Sequence, residues 1–393
     1  MLWPMPLHHD GPLARLRRGH EELVLGLLRK HGPLSRAELG RHSGLSRTTL
    51  YDIVGALVDS GAVVATAPAA GERRRGRPVE TLTLHPEAGQ VIGIDFARRA
   101  VHVAAVNVAH EVMGSAGEAH EPDLPWQERV DVAERLVGSL AGGTLRLGSL
   151  GAIGVGVVGP VQDTAAEEHD GTEPRRDLPL LLRKRFGVPV LVDNNTRLAA
   201  LAEATWGAAA GDQDVLYLRL SHGVGGGLVV GGSLHRGAYG LSGEFGHITV
   251  EPDGRRCSCG GRGCLETVAS VGAVLEAHDG ADDLPTLLAD PAAATLLDGV
   301  GAKVGTVLAA VCNAIGPGVV VIGGELAEAG EALFGGVGRA LAADLMPISR
   351  NRVDLRPAAL GEAAGALGAI ALVLHESPLL ARYPASPDSE EHT

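Results

Sequence analysis

Between Ser242 and Glu266 the chain sets two carboxylates, one imidazole and three thiols among glycines. The run reads Ser242-Gly243-Glu244-Phe245-Gly246-His247-Ile248-Thr249-Val250, followed by Cys257-Ser258-Cys259-Gly260-Gly261-Arg262-Gly263-Cys264-Leu265-Glu266. Three clustered thiols with His247 close by make a Cys₃His set, which suits a tetrahedral zinc ion with no open coordination position. A disulfide is a poor reading, because Cys-x-Cys rarely closes a relaxed ring. Zinc here would be structural and would order the loop that presents Glu244 and Glu266. Cys312 lies in the apolar run Val307-Leu308-Ala309-Ala310-Val311 and reads as a core residue. Taken alone, the same carboxylates, imidazole and thiols also permit an active site with a catalytic metal.

Such a site needs a body to hold it, and 393 residues exceed one ordinary core, so two or three domains are expected. The formal charge of −13 argues against a protein that coats nucleic acid over its whole surface. That charge is uneven: residues 1–85 carry a net +4 and residues 86–393 a net −17, a basic head on an acidic body. No uncharged apolar run of about 18 residues and no signal-peptide core is present, so a cytoplasmic protein with no membrane segment is expected. Clustered cysteines fit a reducing compartment.

The head has a readable order. Leu23, Val24, Leu27 and Leu28 recur at helical spacing and Gly32-Pro33 ends that helix. Ser35 with Glu38 three residues later has capping-box spacing for a second helix through His42. Ser43-Gly44-Leu45 is a tight turn, and Ser46 to Val58 is a third helix with Leu50, Ile53, Val54 and Leu57 inward. This is the helix-turn-helix pattern. The front of the third helix offers Ser46, Arg47, Thr48, Thr49 and Tyr51 to phosphates or base edges of double-stranded DNA. Two short strands, Ala62–Ala65 and Glu80–Leu84, flank a loop with Arg73, Arg74, Arg75 and Arg77, which makes a basic wing. The competing reading is a three-helix protein-interaction module with a solvated charge run.

After the wing the chain becomes α/β. Strands are expected at 91–96, 100–108, about 111–117, 151–160 and 189–193, with a helix over about 125–140, and strands recur at 214–220, 226–230 and 319–324. Two α/β lobes account for this repetition. The Gly-Glu-Phe-Gly-His run, the Cys-x-Cys-Gly-Gly-x-Gly-Cys-Leu-Glu run, Gly223-Val224-Gly225-Gly226-Gly227 and Val192-Asp193-Asn194-Asn195 together resemble the ROK family of repressors, open reading frames and sugar kinases. The resemblance runs from about Gly19 to His375 and is to the family's transcriptional regulators. It implies an N-terminal winged helix-turn-helix followed by a two-lobed actin-like ATPase (ROK) fold.

The expected domains are the head at 1–85, a first lobe at 90–200, a second lobe with the zinc loop at 201–378, and a flexible tail at 379–393. The resemblance further implies sugar contacts at Asn194, Asn195, Glu244, His247 and Glu266. His247 is thus assigned both to zinc and to the sugar, and one imidazole can serve both roles through its two nitrogens.

ROK kinases use an Asp base in a Glu-Asn-Asp-Ala-Asn-like motif, and the matching residue here is Asn195, an amide that cannot take a proton near neutral pH. Their Asp-x-Gly-Gly-Thr phosphate loop is matched by Asp95-Phe96-Ala97-Arg98-Arg99, which keeps the Asp and loses both glycines and the Thr. The expectation is therefore a non-enzyme: a regulator of the repressor class that binds operator DNA and a sugar or sugar phosphate as a homodimer or homotetramer. The alternatives are a ROK-type ATP-dependent sugar kinase with an altered base, and a regulator answering to a protein partner.

Overall fold

The computed structural model describes residues 12–31, 33–59, 62–66, 80–85, 90–107, 112–141, 150–159, 161 and 178–376. The head contains α1 (Pro12–His31), β1 (Leu34–Ser35), α2 (Arg36–Ser43), α3 (Arg47–Asp59), β2 (Val63–Thr66) and β3 (Thr81–Leu84). Its core is closed by Val24, Leu28, Leu39, Leu50, Ile53, Val54, Leu57 and Leu82, the inward positions of the three helices and a wing strand. Ser35 and Glu38 form the capping box: Glu38 N donates to Ser35 Oγ at 3.3 Å, and Ser35 N donates to Glu38 Oε2 at 2.8 Å. Removing that reciprocal pair costs about 1 kcal/mol. Ser35→Ala should therefore speed hydrogen exchange of the α2 amides by about fivefold without changing the two lobes.

One head element was not anticipated. β1 has two residues, too few to show a period, and exists because Leu34 and Ser35 pair with Leu82 and Thr81. The sheet order is β1-β3-β2, so the wing is tied to the chain between α1 and α2. The expected wing arginines Arg73, Arg74, Arg75 and Arg77 lie outside the described residues, as does the expected tail from 379.

The first lobe follows with β4 (Gln90–Phe96), β5 (Ala100–Asn107), β6 (Val112–Ala119), α4 (Trp126–Ala141), β7 (Leu150–Val157), α5 (Leu178–Phe186), β8 (Val190–Asn194) and α6 (Asn195–Thr205). The second lobe has β9 (Val215–Leu220), β10 (Val224–Val230), β11 (Ser233–His235), α7 (Glu266–Ala269), α8 (Val271–Glu276), α9 (Leu284–Ala289), α10 (Ala294–Ile315), β12 (Val319–Gly323), α11 (Glu331–Asp344), β13 (Asp354–Pro357) and α12 (Ala364–Glu376). Sheet orders are β6-β5-β4-β7-β8 and β11-β10-β9-β12-β13. In each, three strands run antiparallel and the last two add in parallel, so the two sheets repeat one topology.

Two helices exchange sheets. α6 closes the first half of the body, yet Leu198, Ala199, Ala200 and Leu201 pack on Val215, Tyr217, Val229 and Val319 of the second sheet. α12 closes the second half, yet Ala366, Leu367, Ile370 and Val373 pack on Val91, Ala104, Val106 and Ala152 of the first. The helices also pack on each other. Contact with the first sheet is at backbone distance, because a β-carbon on Gly93 or Gly154 would overlap the carbonyl oxygens of Ala366 or Ala369. Among the described residues one segment, Pro291–Ile315, is long and apolar enough to cross a membrane, and half of its apolar window is buried in the protein. Leu297, Val300, Val304, Val307 and Leu308 of that segment join the second-lobe core, as does Cys312.

Candidate functional site

The chemistry-bearing segments converge on the start of β10. Val224 N donates to Glu266 Oε2 at 3.0 Å, Gly226 N donates to Gly243 O at 2.9 Å, and Thr196 Oγ1 donates to Gly226 O at 3.4 Å. The glycine strand thus brings together the first turn of α6, the Glu244–His247 turn and Glu266 at the start of α7. A side chain on β10 would fill this junction: a β-carbon at Gly226 would strike the Tyr217 carbonyl and the Phe245 ring.

His247, Cys257, Cys259 and Cys264 form one cluster whose ligand atoms all lie within 4.8 Å of one another. Cys259 and Cys264 Sγ are 3.7 Å apart, far beyond a disulfide bond, and all four cysteines of the chain are free. Such a set could hold a metal ion. His247 Nδ1 faces Cys257 Sγ at 3.6 Å, while its Nε2 faces Glu244 Oε2 at 3.9 Å, so the ring lies between the thiols and the carboxylate. Burial, with the neighbouring thiols, pushes the Cys264 thiol up to about 12. The Gly261 N–H and Cys257 hold Cys259 below its usual value. A cation bound among the three sulfurs would draw off their protons, because the thiolate is the form that ligates metal. The loop is shaped by Gly263, whose φ of 61° lets its carbonyl take both Val250 N and Glu251 N.

The expected sugar residues differ in how free they are. The Glu244 side chain is 39 % exposed and makes no hydrogen bond among the described residues, while its backbone carbonyl accepts His247 N at 3.1 Å. Glu266 uses one oxygen on Val224 N and turns the other toward Ser258 Oγ at 3.5 Å. Asn194 caps α6: its Oδ1 takes Thr196 N and Arg197 N, and its Nδ2 donates to Gly159 O at 2.9 Å. One amide hydrogen remains available. Asn195 is buried and donates to Asp95 Oδ1 at 3.1 Å. Burial pushes the Asp95 carboxyl above its usual value, opposed by Arg219, His102 and the Asn195 bond. Arg98 and Arg99 are exposed at the end of β4.

On the head, Arg47, Thr48 and Tyr51 are exposed on the front of α3. Ser46 caps that helix, accepting Thr49 N at 3.2 Å, and its Oγ lies 2.8 Å from Thr49 Oγ1. Sequence reasoning missed Arg36, which sits over the Tyr51 ring at 5.2 Å while Arg47 sits at 5.6 Å. It also missed Arg197, fully buried against Asp193. The available signal was the acid four residues before the arginine, although the acid lies at the end of β8 and only the arginine is on α6.

A winged head joined to two topologically repeated α/β lobes, with a glycine-lined junction between them, defines a class of DNA-binding protein built on a kinase-like body. The chain belongs to the ROK family, whose model matches residues 91–376, and a winged helix-turn-helix DNA-binding model matches residues 19–64. It is 25 % identical over 370 residues to a xylose repressor of Bacillus spizizenii, covering 91 % of this chain and 96 % of the relative. It is 31 % identical over 305 residues to a glucokinase of Halalkalibacterium halodurans, covering 70 % and 92 %. A crystal structure of a ROK family transcriptional regulator, a homologue of the E. coli MLC protein, superposes with a TM-score of 0.76 at 24 % identity over 93 % of this chain and 98 % of that one. The family contains both repressors and kinases, and the head falls on the repressor side.

Proposed function

We propose that the protein is a sugar-responsive transcriptional repressor with no phosphotransferase activity, acting as a dimer on an operator with two half-sites. The observation that carries this is the pairing, in one chain, of a winged head with a pocket whose base position is an amide turned into the protein. Asn195 donates its amide to Asp95 and offers no group that can take a proton from a sugar hydroxyl. The polar atoms that remain, on Glu244, Glu266, His247 and Asn194, suit the hydroxyls of a carbohydrate. Arg47, Thr48, Thr49 and Tyr51 read DNA, with Arg36 beside them and the wing arginines on the backbone. A single head buries too little surface for tight specific binding, which is why a dimer is part of the proposal. Induction follows if the sugar binds the DNA-free form more tightly.

Zinc is the metal we assign to the cluster, in a structural role. Tetrahedral Zn–S and Zn–N bonds of about 2.3 and 2.0–2.1 Å separate two sulfurs by roughly 3.8 Å and a sulfur from a nitrogen by roughly 3.6 Å. Cys259 and Cys264 Sγ stand 3.7 Å apart, and Cys257 Sγ and His247 Nδ1 3.6 Å. With all four positions filled by protein, the ion would brace Glu244 and Glu266 rather than activate water.

The test is selection of genomic fragments by the purified full chain, followed by mobility shift with D-xylose, D-glucose, N-acetyl-D-glucosamine and their phosphates. Release of a selected fragment by one sugar is expected; failure to retain any fragment over competitor DNA would sink the proposal. No ADP release is expected with ATP and the same panel. Asn195→Asp should not restore it, because Arg98 stands in the former glycine loop. That variant should instead set two buried carboxyls about 3 Å apart, which share one proton. Burial and the like charge then raise the second ionisation of the pair above its unfolded value, so the variant loses stability as pH rises through that ionisation. A Tm that drops from pH 5 to pH 8 by more than wild type's checks this.

A further inference from the structure

We infer that Arg197 is the positioning residue that holds the loop at 236–243, and through it Glu244 and His247, against the first lobe; the effector part of this inference rests on the sugar-responsive reading above. Arg197 is 1 % exposed and contacts three separate segments. Its Nε and Nη2 reach Asp193 Oδ1 at 2.8 and 2.6 Å, its Nη2 reaches Val161 O at 3.4 Å, and its Nη1 donates to Gly240 O. Asp193 completes the clasp from the other side, its Oδ2 accepting Arg236 Nε. One buried carboxylate at the end of β8 therefore takes an arginine from α6 and an arginine from the loop after β11. The guanidinium from α6 passes on to the carbonyl of that same loop. A planar fork with five fixed donors can join three segments in this way, and an ammonium cannot.

Within the loop, Ser242 N donates to Arg236 O at 3.1 Å and closes its two ends on each other. Gly237, Gly240 and Gly243 all take positive φ, so the backbone is at its most permissive where it must present two ligand groups. Its far end is fixed by the hydrogen bond from Gly226 N to Gly243 O, one residue before Glu244. Arg236 and Gly240 thus fix the near part of the loop to the first lobe, while Gly243 fixes its end to the second. A sugar lying between Asn194 and Glu244 would meet a pocket whose two walls are already set in register by Arg197, and would bind without first ordering the loop.

The experiment is hydrogen exchange of the full chain with Arg197→Lys and Arg197→Met, paired with calorimetry against D-xylose, D-glucose, N-acetyl-D-glucosamine and their phosphates. Lysine keeps the charge beside Asp193 but loses the fork. Exchange of the 236–243 amides should rise by about tenfold in Arg197→Lys and further in Arg197→Met, with β4, β7 and α12 unchanged in the lysine variant. The affinity for any sugar that wild type binds should fall about tenfold in the lysine variant. Wild-type exchange at 236–243 in both variants would overturn the inference. So would an equal rise throughout both lobes in both variants, which would make Arg197 a core ion pair and no more. If wild type binds none of the sugars, the sugar-responsive reading fails, and the exchange of the loop still decides the role of Arg197.

Discussion

Cys264→Ser is expected to abolish metal binding at the proposed zinc site and to lower the melting temperature of the second lobe by about 10 °C or more. Cys264 is 2 % exposed and shares its cluster with His247, Cys257 and Cys259, so a serine there leaves an incomplete ligand set around a half-buried site. In peptides that fold only with zinc, the metal contributes about 10–16 kcal/mol. Here the loop is also held by Glu266 and by the backbone bonds to Gly263, so a loss of several kcal/mol is expected, each worth roughly 2–4 °C in a lobe of this size. Chelation of the wild-type protein should reproduce the shift, and sugar binding should be lost in both cases. Full metal content in the variant, or an unchanged melting curve, would refute the structural role of the ion.

The second large effect is expected from Gly154→Val. The strand carrying Gly154 meets α12 at backbone distance, and any β-carbon there overlaps Ala369 O. No rotamer relieves an overlap with main chain, so α12 must shift, and with it the neighbouring contact where Gly368 lies against Leu198 O of α6. Overpacking of this kind costs about 1–3 kcal/mol in ordinary cores, and two coupled helix contacts place the expected loss at or above the top of that range. Gly138→Ala on the exposed side of α4 is the control: no atom lies within 4 Å of its new β-carbon, and the change should stabilise by roughly 0.5–1 kcal/mol. Equal melting shifts for the two variants would refute the packing argument.

Local chemistry made much of this legible in the sequence. The capping box at Ser35 and Glu38, the inward faces of the head helices and the apolar strands of both lobes follow from spacing, because each depends on residues a few positions apart. The grouping of His247 with the three cysteines was legible for the same reason, since three of its four members fall within eight residues. What was not legible depends on partners far along the chain. β1 exists only through Leu82 and Thr81, Arg36 acquires a role only when Tyr51 arrives beneath it, and α6 and α12, buried on nearly every side, carry no stripe that says which sheet each covers. Arg197 looks in sequence like a solvated helix residue. The fold instead buries it, because Asp193, Gly240 and Val161 supply an acceptor to each of its three nitrogens.

The exchange of α6 and α12 between the sheets also sets the order in which a growing chain can become a protein. The head closes its core with residues between Val24 and Leu82, all made early. The first sheet has every strand by Asn194, but its inner face stays uncovered until Ala364–Glu376 has left the ribosome. At about 5–20 residues per second that wait lasts on the order of 10–30 s. For that interval a finished head trails a half-dressed sheet with an apolar face exposed, which makes the nascent first lobe the stretch most in need of a chaperone.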